Sequence, residues 1–205
     1  MRYVLYLDSL FASPWALSVF VALTEKGLPF TIETVDLQAR QQVASYARRA
    51  LTARVPGLAI GELVLTESTA ITEYLEERHP APACALYPHD LLERAQARQV
   101  QAWIRSDLAA LRAERDTETV FFGKACAPLT PAGQAAAAKL IDVAGQLVRG
   151  HGLFGDWSIA DVDLALMLQR LIAGGDPVPP PLLAYATHQW QRPSVQAWLA
   201  RHRPA

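Results

Sequence analysis

A serine followed by a proline stands where the first strand of the chain should pass into the first helix. The apolar stretch 3–7 predicts that strand, and a helix is predicted from Pro14 to Lys26, just before Gly27. Serine suits the cap before a helix and proline suits its first position. A helix N-terminus carries unpaired N–H groups and the positive dipole end, so the Ser13 hydroxyl would lie where an anion can bind. Helix capping without further function is the alternative.

The dipeptide Val55-Pro56 opens a second candidate feature. It precedes a short apolar run, as expected for a proline at the start of a strand. A cis bond would turn the backbone groups of Val55 outward, where a peptide-like ligand could pair with them as an added strand. A trans proline that opens a loop is the alternative.

Glu67 and Ser68 form a third feature, at the start of a helix predicted over residues 67–78. The Ser68 hydroxyl and the N–H groups at the helix end suit a carboxylate, whereas the Glu67 carboxylate suits an ammonium group. Together they would recognise a zwitterion, such as the α-amino-acid end of a small peptide. Capping alone explains the same residues equally well.

The elements that must position these residues are of two kinds. The first 80 residues alternate strand and helix in the order βαβαββα, with an alternating strand at 30–36, an exposed helix at 38–49 and a hairpin within 55–66. Prolines at positions 80, 82 and 88 then punctuate a segment without periodicity. We therefore predict an α/β domain over 1–80, a linker over 81–89 and an all-helical domain over 90–205.

The second domain is predicted to consist of amphipathic or buried helices. Ser158 and Asp161 form a capping-box pattern before an almost wholly apolar helix, so both are interpreted as structural rather than catalytic. The predicted helices cover residues 91–116, 131–148, 158–172, 182–189 and 194–202.

Composition and charge argue against several classes of function. The formal net charge is −1 and no basic stripe stands out, which disfavours nucleic acid as a partner. No secretory signal pattern and no apolar run of membrane-spanning length are visible. Cys84 and Cys126 are far apart and form no CxxC pair, and no zinc spacing is present, so we expect no metal. A reducing cytoplasm is the expected compartment.

In combination these motifs resemble the cytosolic glutathione transferase family, and within it the bacterial YfcF-like group. The resemblance covers the whole chain. The stretches that carry it are Ser13-Pro14-Trp15, Arg54-Val55-Pro56, Thr66-Glu67-Ser68-Thr69-Ala70-Ile71 and Ser158-Ile159-Ala160-Asp161. It implies a thioredoxin-like N-terminal domain, a helical C-terminal domain, a glutathione site between them and a homodimer.

The resemblance also implies roles for individual residues. Ser13 would activate the thiol of glutathione, and the Val55 backbone, before a cis Pro56, would pair with its cysteinyl part. Glu67 and Ser68 would hold the γ-glutamyl end, and Gln42 or Arg40 would hold the glycine end. Tyr6, near the end of the first strand, and Ser9 are the fallback candidates for the role of Ser13.

Serine at position 13, where other members of the family have cysteine, favours stabilising a bound thiolate over forming a mixed disulfide. The implied activity is conjugation of glutathione to small apolar electrophiles in detoxification, with glutathione-dependent peroxidase activity left open. A thiol–disulfide reductase and a non-catalytic binding or regulatory protein are the competing hypotheses. The side chains expected to line the pocket of the second substrate are Phe11, Trp15, Trp103, Arg112 and Phe121.

Overall fold

The computed structural model describes residues 2–80 and 83–202. The chain divides into two compact units, one made of Met1–Leu86 with Ala197–Ala205 and the other of Tyr87–Gln196. Pro82, part of the predicted linker, lies outside the described residues.

A four-stranded mixed sheet forms the centre of the first unit. Its strands are β1 (Tyr3–Asp8), β2 (Phe30–Val35), β3 (Gly57–Ile60) and β4 (Leu63–Thr66). Their order is β2-β1-β3-β4, with β1 parallel to β2 and antiparallel to β3, and β3 antiparallel to β4. The parallel pair requires a crossover, which the first helix supplies, whereas a tight turn joins β3 to β4.

Three helices cover this sheet: α1 (Pro14–Glu25), α2 (Arg40–Ala47) and α3 (Ser68–Arg78). Side chains alternate between the faces of a strand, so Leu5 and Leu7, both fully buried, point to one face of β1 and Tyr6 to the other. Tyr6 packs with Tyr46 of α2 in a small cluster of its own. The predicted βαβαββα order is confirmed.

A buried ion pair joins the ends of α1 and α3. Lys26 Nζ lies 2.7 Å from a Glu76 carboxylate oxygen, and the Lys26 side chain is fully buried. The same ammonium group donates to the carbonyls of His79 and Cys84, at 2.8 and 3.0 Å. Glu76 also accepts the N–H of Leu86. This network fixes the segment that leads out of the first unit.

The second unit is helical. Its helices are α4 (Leu91–Ser106), α5 (Ala109–Glu114), α6 (Thr117–Phe122), α7 (Pro131–Leu147), α8 (Ile159–Ala173) and α9 (Pro180–Trp190). Nearly every residue of α8 is buried, as its apolar sequence predicts. Asp161 accepts bonds from the backbone N–H and the hydroxyl of Ser158 at 2.8 and 2.9 Å. Asp161 thus has the structural role expected for it.

Helix α10 (Pro193–Leu199) and a short 3-10 turn (Ala200–His202) close the described chain. From Ala197 onward the chain belongs to the first unit. The reason is aromatic packing, because the buried Trp198 ring contacts the rings of Phe11 and Phe20 at 5.5 and 5.4 Å between centroids.

The single long helix expected over residues 91–116 is wrong: the structure breaks it into α4 and α5. Asp107 and Leu108 leave helical geometry, with φ/ψ of −92/−117° and 0/29°. The Asp107 carboxylate accepts the indole N–H of Trp103 and also pairs with Lys139 of α7. The Lys139 partner is a tertiary contact, which periodicity does not register.

Candidate active site

The strand register brings three of the sequence motifs to one end of the sheet. Tyr6 of β1 lies opposite Gly57 of β3, and Gly57 lies opposite Thr66 of β4. The loop after β1, the residues before β3 and the residues after β4 therefore share an edge. These segments carry Ser13, Val55-Pro56 and Glu67-Ser68. The loop after β2 also belongs to this edge, because β2 runs parallel to β1.

Ser13 is the N-cap of α1 and is half-buried. Its hydroxyl oxygen accepts the N–H of Ala16 at 3.2 Å. A hydroxyl has one proton to donate in addition to its acceptor lone pairs, so this contact orients the oxygen and leaves the proton available to an anion. The predicted capping interaction and an anion-binding role are thus compatible.

The loop that carries Ser13 is held by Asp8, the last residue of β1. Its two carboxylate oxygens accept the N–H groups of Ala12 and Ser13, each at 2.8 Å. Asp8 is only 8% exposed. Sequence reasoning missed this residue, because the usual Asp turn signal binds the N–H two residues on, whereas Asp8 binds N–H groups four and five residues on.

The peptide bond between Val55 and Pro56 is cis, which agrees with what the resemblance implied. Pro56 is buried and Val55 is partly exposed. The hydroxyl of Tyr46 donates to the carbonyl of Arg54 at 3.0 Å and fixes the chain before this bond. Gly57 is needed beside it, because a Cβ there would lie 2.1 Å from the Tyr46 hydroxyl oxygen.

Glu67 and Ser68 stand at the N-terminus of α3. Glu67 is exposed and has a φ of +68°, whereas Ser68 is 6% exposed. A left-handed φ at a residue other than glycine costs of order 1–3 kcal/mol, and such residues concentrate at functional sites. The second one in the described chain is Phe11, with φ +56°, in the loop before Ser13.

The remaining candidates for binding the ligand are less directly placed. Gln42 is exposed, and its side-chain oxygen accepts the N–H of Asp36 at 3.0 Å; Arg40 is exposed on the same helix. Tyr6 is buried and accepts a hydrogen bond from Arg49 at 2.9 Å. Burial, followed by a hydrogen bond with Glu33, raises the pKa of the Tyr6 phenol. Ser9 is exposed.

The five residues proposed for a second substrate divide between the two units. Phe11 and Trp15 flank Ser13 in the first unit and are half-buried, with the Arg201 guanidinium 5.3 Å from the centroid of the Phe11 ring. The others lie in the second unit. Trp103 is on the side of α4 that faces Val143 and Leu147 of α7.

Arg112, on α5, and Phe121, on α6, are both half-buried.

None of the helices formed by the described residues combines the length and apolar character needed to cross a bilayer. The described residues also contain no group of three or more His, Cys, Asp and Glu side chains that could hold a metal ion.

The sheet order, the cis proline before β3 and the following helical unit define a thioredoxin-like domain joined to an all-helical domain. Family models for the glutathione S-transferase N-terminal and C-terminal domains match residues 12–78 and 90–203. The chain belongs to the glutathione S-transferase family.

Individual relatives agree with this assignment. Over 149 residues the chain is 34% identical to human glutathione S-transferase theta-1, an alignment that covers 70% of this chain and 60% of that protein. Mouse glutathione S-transferase theta-3 is 38% identical over 100 residues, which is 48% of this chain and 40% of that protein. The chain thus spans about half the length of the curated relatives it matches.

Among solved structures, a glutathione transferase homolog from Burkholderia gl BGR1, with bound glutathione, is 46% identical. Its TM-score to this chain is 0.81, with 99% of this chain and 98% of that one covered.

Proposed function

We propose that this protein is a glutathione transferase that conjugates the glutathione thiolate to small electrophiles. The observation that carries the proposal is the shared sheet edge, where the Ser13 hydroxyl, the cis Val55–Pro56 bond and the Glu67-Ser68 helix start occur side by side. The Burkholderia homolog, of nearly the same length, has glutathione bound, which supports this choice of ligand.

The dimensions of this edge suit an extended tripeptide. Neighbouring strands lie about 4.8 Å apart, so two spacings place the ends of β1 and β4 about 10 Å from each other. Three extended residues span about 10 Å. Glutathione laid across the edge would have its γ-glutamyl end at Glu67 and Ser68, its cysteinyl part at Val55 and its sulfur near Ser13. The glycine end would lie toward α2, where Gln42 and Arg40 are the candidates.

In this arrangement Ser13 acts as a hydrogen-bond donor and not as a nucleophile. A free thiol titrates near pH ~8.5, so little thiolate is present at neutral pH. A hydrogen bond to a charged group contributes about 1.5–3 kcal/mol, and a helix N-terminus adds about 0.3–1 kcal/mol. Since one pKa unit is about 1.36 kcal/mol, the bound thiol would titrate ~1–3 units lower.

Three further properties belong to this proposal. Cys84 and Cys126 are both reduced thiols in the structure, which suits a reducing cytoplasm. Family membership supports a homodimer, which light scattering of the purified protein would test. Conjugation of apolar electrophiles would give a role in detoxification, and hydroperoxides should be assayed beside alkylating electrophiles because a thiolate can attack either.

Glutathione binding and turnover should be tested separately. Calorimetry with Glu67→Gln should show weaker binding than wild type, because the carboxylate partner of the ligand's ammonium group is removed. The matched control is Glu62→Gln, in the turn at the opposite end of the β3–β4 hairpin. Turnover of 1-chloro-2,4-dinitrobenzene then decides between an enzyme and a binding protein. Equal glutathione affinity in both variants would refute the site.

A further inference from the structure

Helix α2 buries one side chain, that of Tyr46. The other residues of 40–47, all within the described chain, are exposed or half-buried. The preceding residue, Ala39, has no polar side chain with which to cap the helix. Isolated helices shorter than about 12 residues are marginal in water, and α2 has eight. The place of α2 in the first unit therefore depends on how Tyr46 is held.

The Tyr46 hydroxyl contacts the backbone on both sides of Val55-Pro56. It donates to the carbonyl oxygen of Arg54 at 3.0 Å. It also lies against Gly57, where an added Cβ would come within 2.1 Å of the hydroxyl oxygen. Burial raises the pKa of Tyr46 to about 12, so the phenol keeps the proton that it donates at neutral pH. One side chain thus joins α2 to the segment 54–57.

Apolar packing restricts the Tyr46 ring as well. The ring lies 5.3 Å from the Tyr6 ring, measured between centroids. The buried cluster around it includes Ala59 and Val64, and the partly buried Val55 packs against that same cluster. Because protein interiors are close-packed, Val55 and Tyr46 cannot move independently of each other.

These contacts connect two parts of the proposed glutathione site. In that site the cysteinyl part of the ligand lies at Val55, and its glycine end lies toward α2. Because Tyr46 holds both segments, a ligand that orders one of them lowers the entropic cost of ordering the other. The two parts of the ligand should therefore strengthen each other's binding.

We propose that Tyr46 is a positioning residue, which makes glutathione binding at Val55 and at α2 cooperative. The inference rests on the proposed transferase function and gives the phenol no part in the reaction itself. Tyr46 acts only through the backbone segments that its hydroxyl and its ring hold in place. Without the hydroxyl, the two parts of the ligand would contribute independently to the affinity.

The first experiment removes the hydroxyl and measures affinity. Glutathione is titrated by calorimetry into wild type, Tyr46→Phe and the matched control Tyr3→Phe. Tyr3 is also buried, and its hydroxyl bonds to His79 at 2.8 Å, but it lies at the opposite end of β1 from the site. One buried hydrogen bond corresponds to about a two- to tenfold change in an equilibrium constant, so Tyr46→Phe should weaken binding by that factor and Tyr3→Phe should not. Urea unfolding verifies that both variants are folded.

The second experiment uses amide hydrogen exchange to test whether the two segments respond together. The dipeptide γ-glutamylcysteine lacks the glycine, so it makes no direct contact with α2 in the proposed site. At saturation it should nevertheless slow exchange in wild type within 40–47 as well as 54–57, because Tyr46 joins the two segments. In Tyr46→Phe the dipeptide should protect 54–57 alone, whereas Tyr3→Phe should keep the wild-type pattern.

The outcomes separate this inference from the proposed function. Equal glutathione affinity in wild type and Tyr46→Phe overturns the positioning role, and so does an equal loss of affinity in Tyr3→Phe, which would indicate general destabilisation. Dipeptide protection of 40–47 that is missing in wild type, or that persists in Tyr46→Phe, also overturns it. A wild-type protein that binds neither ligand overturns the proposed function, and this inference with it.

Discussion

Replacing Ser13 with alanine should raise the pKa of bound glutathione without abolishing its binding. The hydroxyl oxygen is held by the Ala16 N–H, which leaves one proton to donate to sulfur. Losing that donation removes about 1.5–3 kcal/mol of thiolate stabilisation, or ~1–2 pKa units. If the wild-type complex titrates near pH ~7 and the variant near ~8.5, the thiolate fraction at pH 7 falls from about half to about 3%.

The rate should fall by less than the thiolate fraction. A more basic thiolate is more nucleophilic, with a Brønsted coefficient of about 0.4–0.5 for attack on a disulfide. If a similar coefficient holds here, raising the thiol pKa by ~1.5 units would make the thiolate itself react about five times faster. The net decrease in the rate at pH 7 would then be about threefold. Well above the variant's pKa its rate should equal or exceed that of wild type.

The assay is therefore a pH profile of kcat/KM, combined with ultraviolet titration of the thiolate in the binary complex. Ser13→Thr keeps the hydroxyl and should keep the wild-type profile, and Ser9→Ala changes an exposed serine of the same loop. The alanine variant also loses a helix cap of about 1 kcal/mol, which urea unfolding reports independently of the rate. Coincident profiles for wild type and Ser13→Ala would refute the reasoning.

Three other perturbations test the scaffold. Asp8→Asn should lower kcat/KM more than it weakens glutathione binding, because a single amide oxygen replaces the two oxygens that hold the loop before α1. Equal effects in steady-state kinetics and calorimetry would contradict this prediction. Lys26→Met should lower the free energy of unfolding in urea by about 3–5 kcal/mol, because the Glu76 carboxylate loses its buried ion-pair partner. Lys139→Met removes one member of an exposed pair and should lower it by less than about 1 kcal/mol. Similar losses in the two variants would count against the buried network. Burial, then the charges of Arg78 and Lys26, lowers the pKa of His79, so the unfolded state binds more protons and the unfolding free energy should decrease as the pH falls below 6.5. His79→Gln should flatten that dependence in denaturant titrations at several pH values, and an unchanged slope would exclude His79 as its source.

Much of the fold could be predicted because local patterns and tertiary structure agree. Ser13-Pro14 marked the start of α1, and the apolar run after Ser158 marked the buried helix α8. The βαβαββα order followed from periodicity and turn residues. The break at Asp107 was not visible, because its ion pair with Lys139 of α7 joins residues far apart in the sequence.

The sequence indicates candidate residues for the site, but not the contacts that hold those residues in place. Ser13 and Glu67 were recognisable from their positions at helix starts. The two bonds from the Asp8 carboxylate, and the contact of Tyr46 with Gly57, depend on which strands are neighbours.

Backbone conformation at Phe11 and Glu67 shows how the two levels connect. Both residues have positive φ, where glycine would be the residue expected from local preference. Each precedes the N-terminus of a helix, and both lie at the edge of the sheet that carries the proposed glutathione site. Local strain of this kind persists only where the surrounding structure holds it, which at Phe11 is through the Asp8 contacts and the aromatic packing with Trp198. The same features that depart from local rules would thus aim both helix termini at the proposed glutathione site.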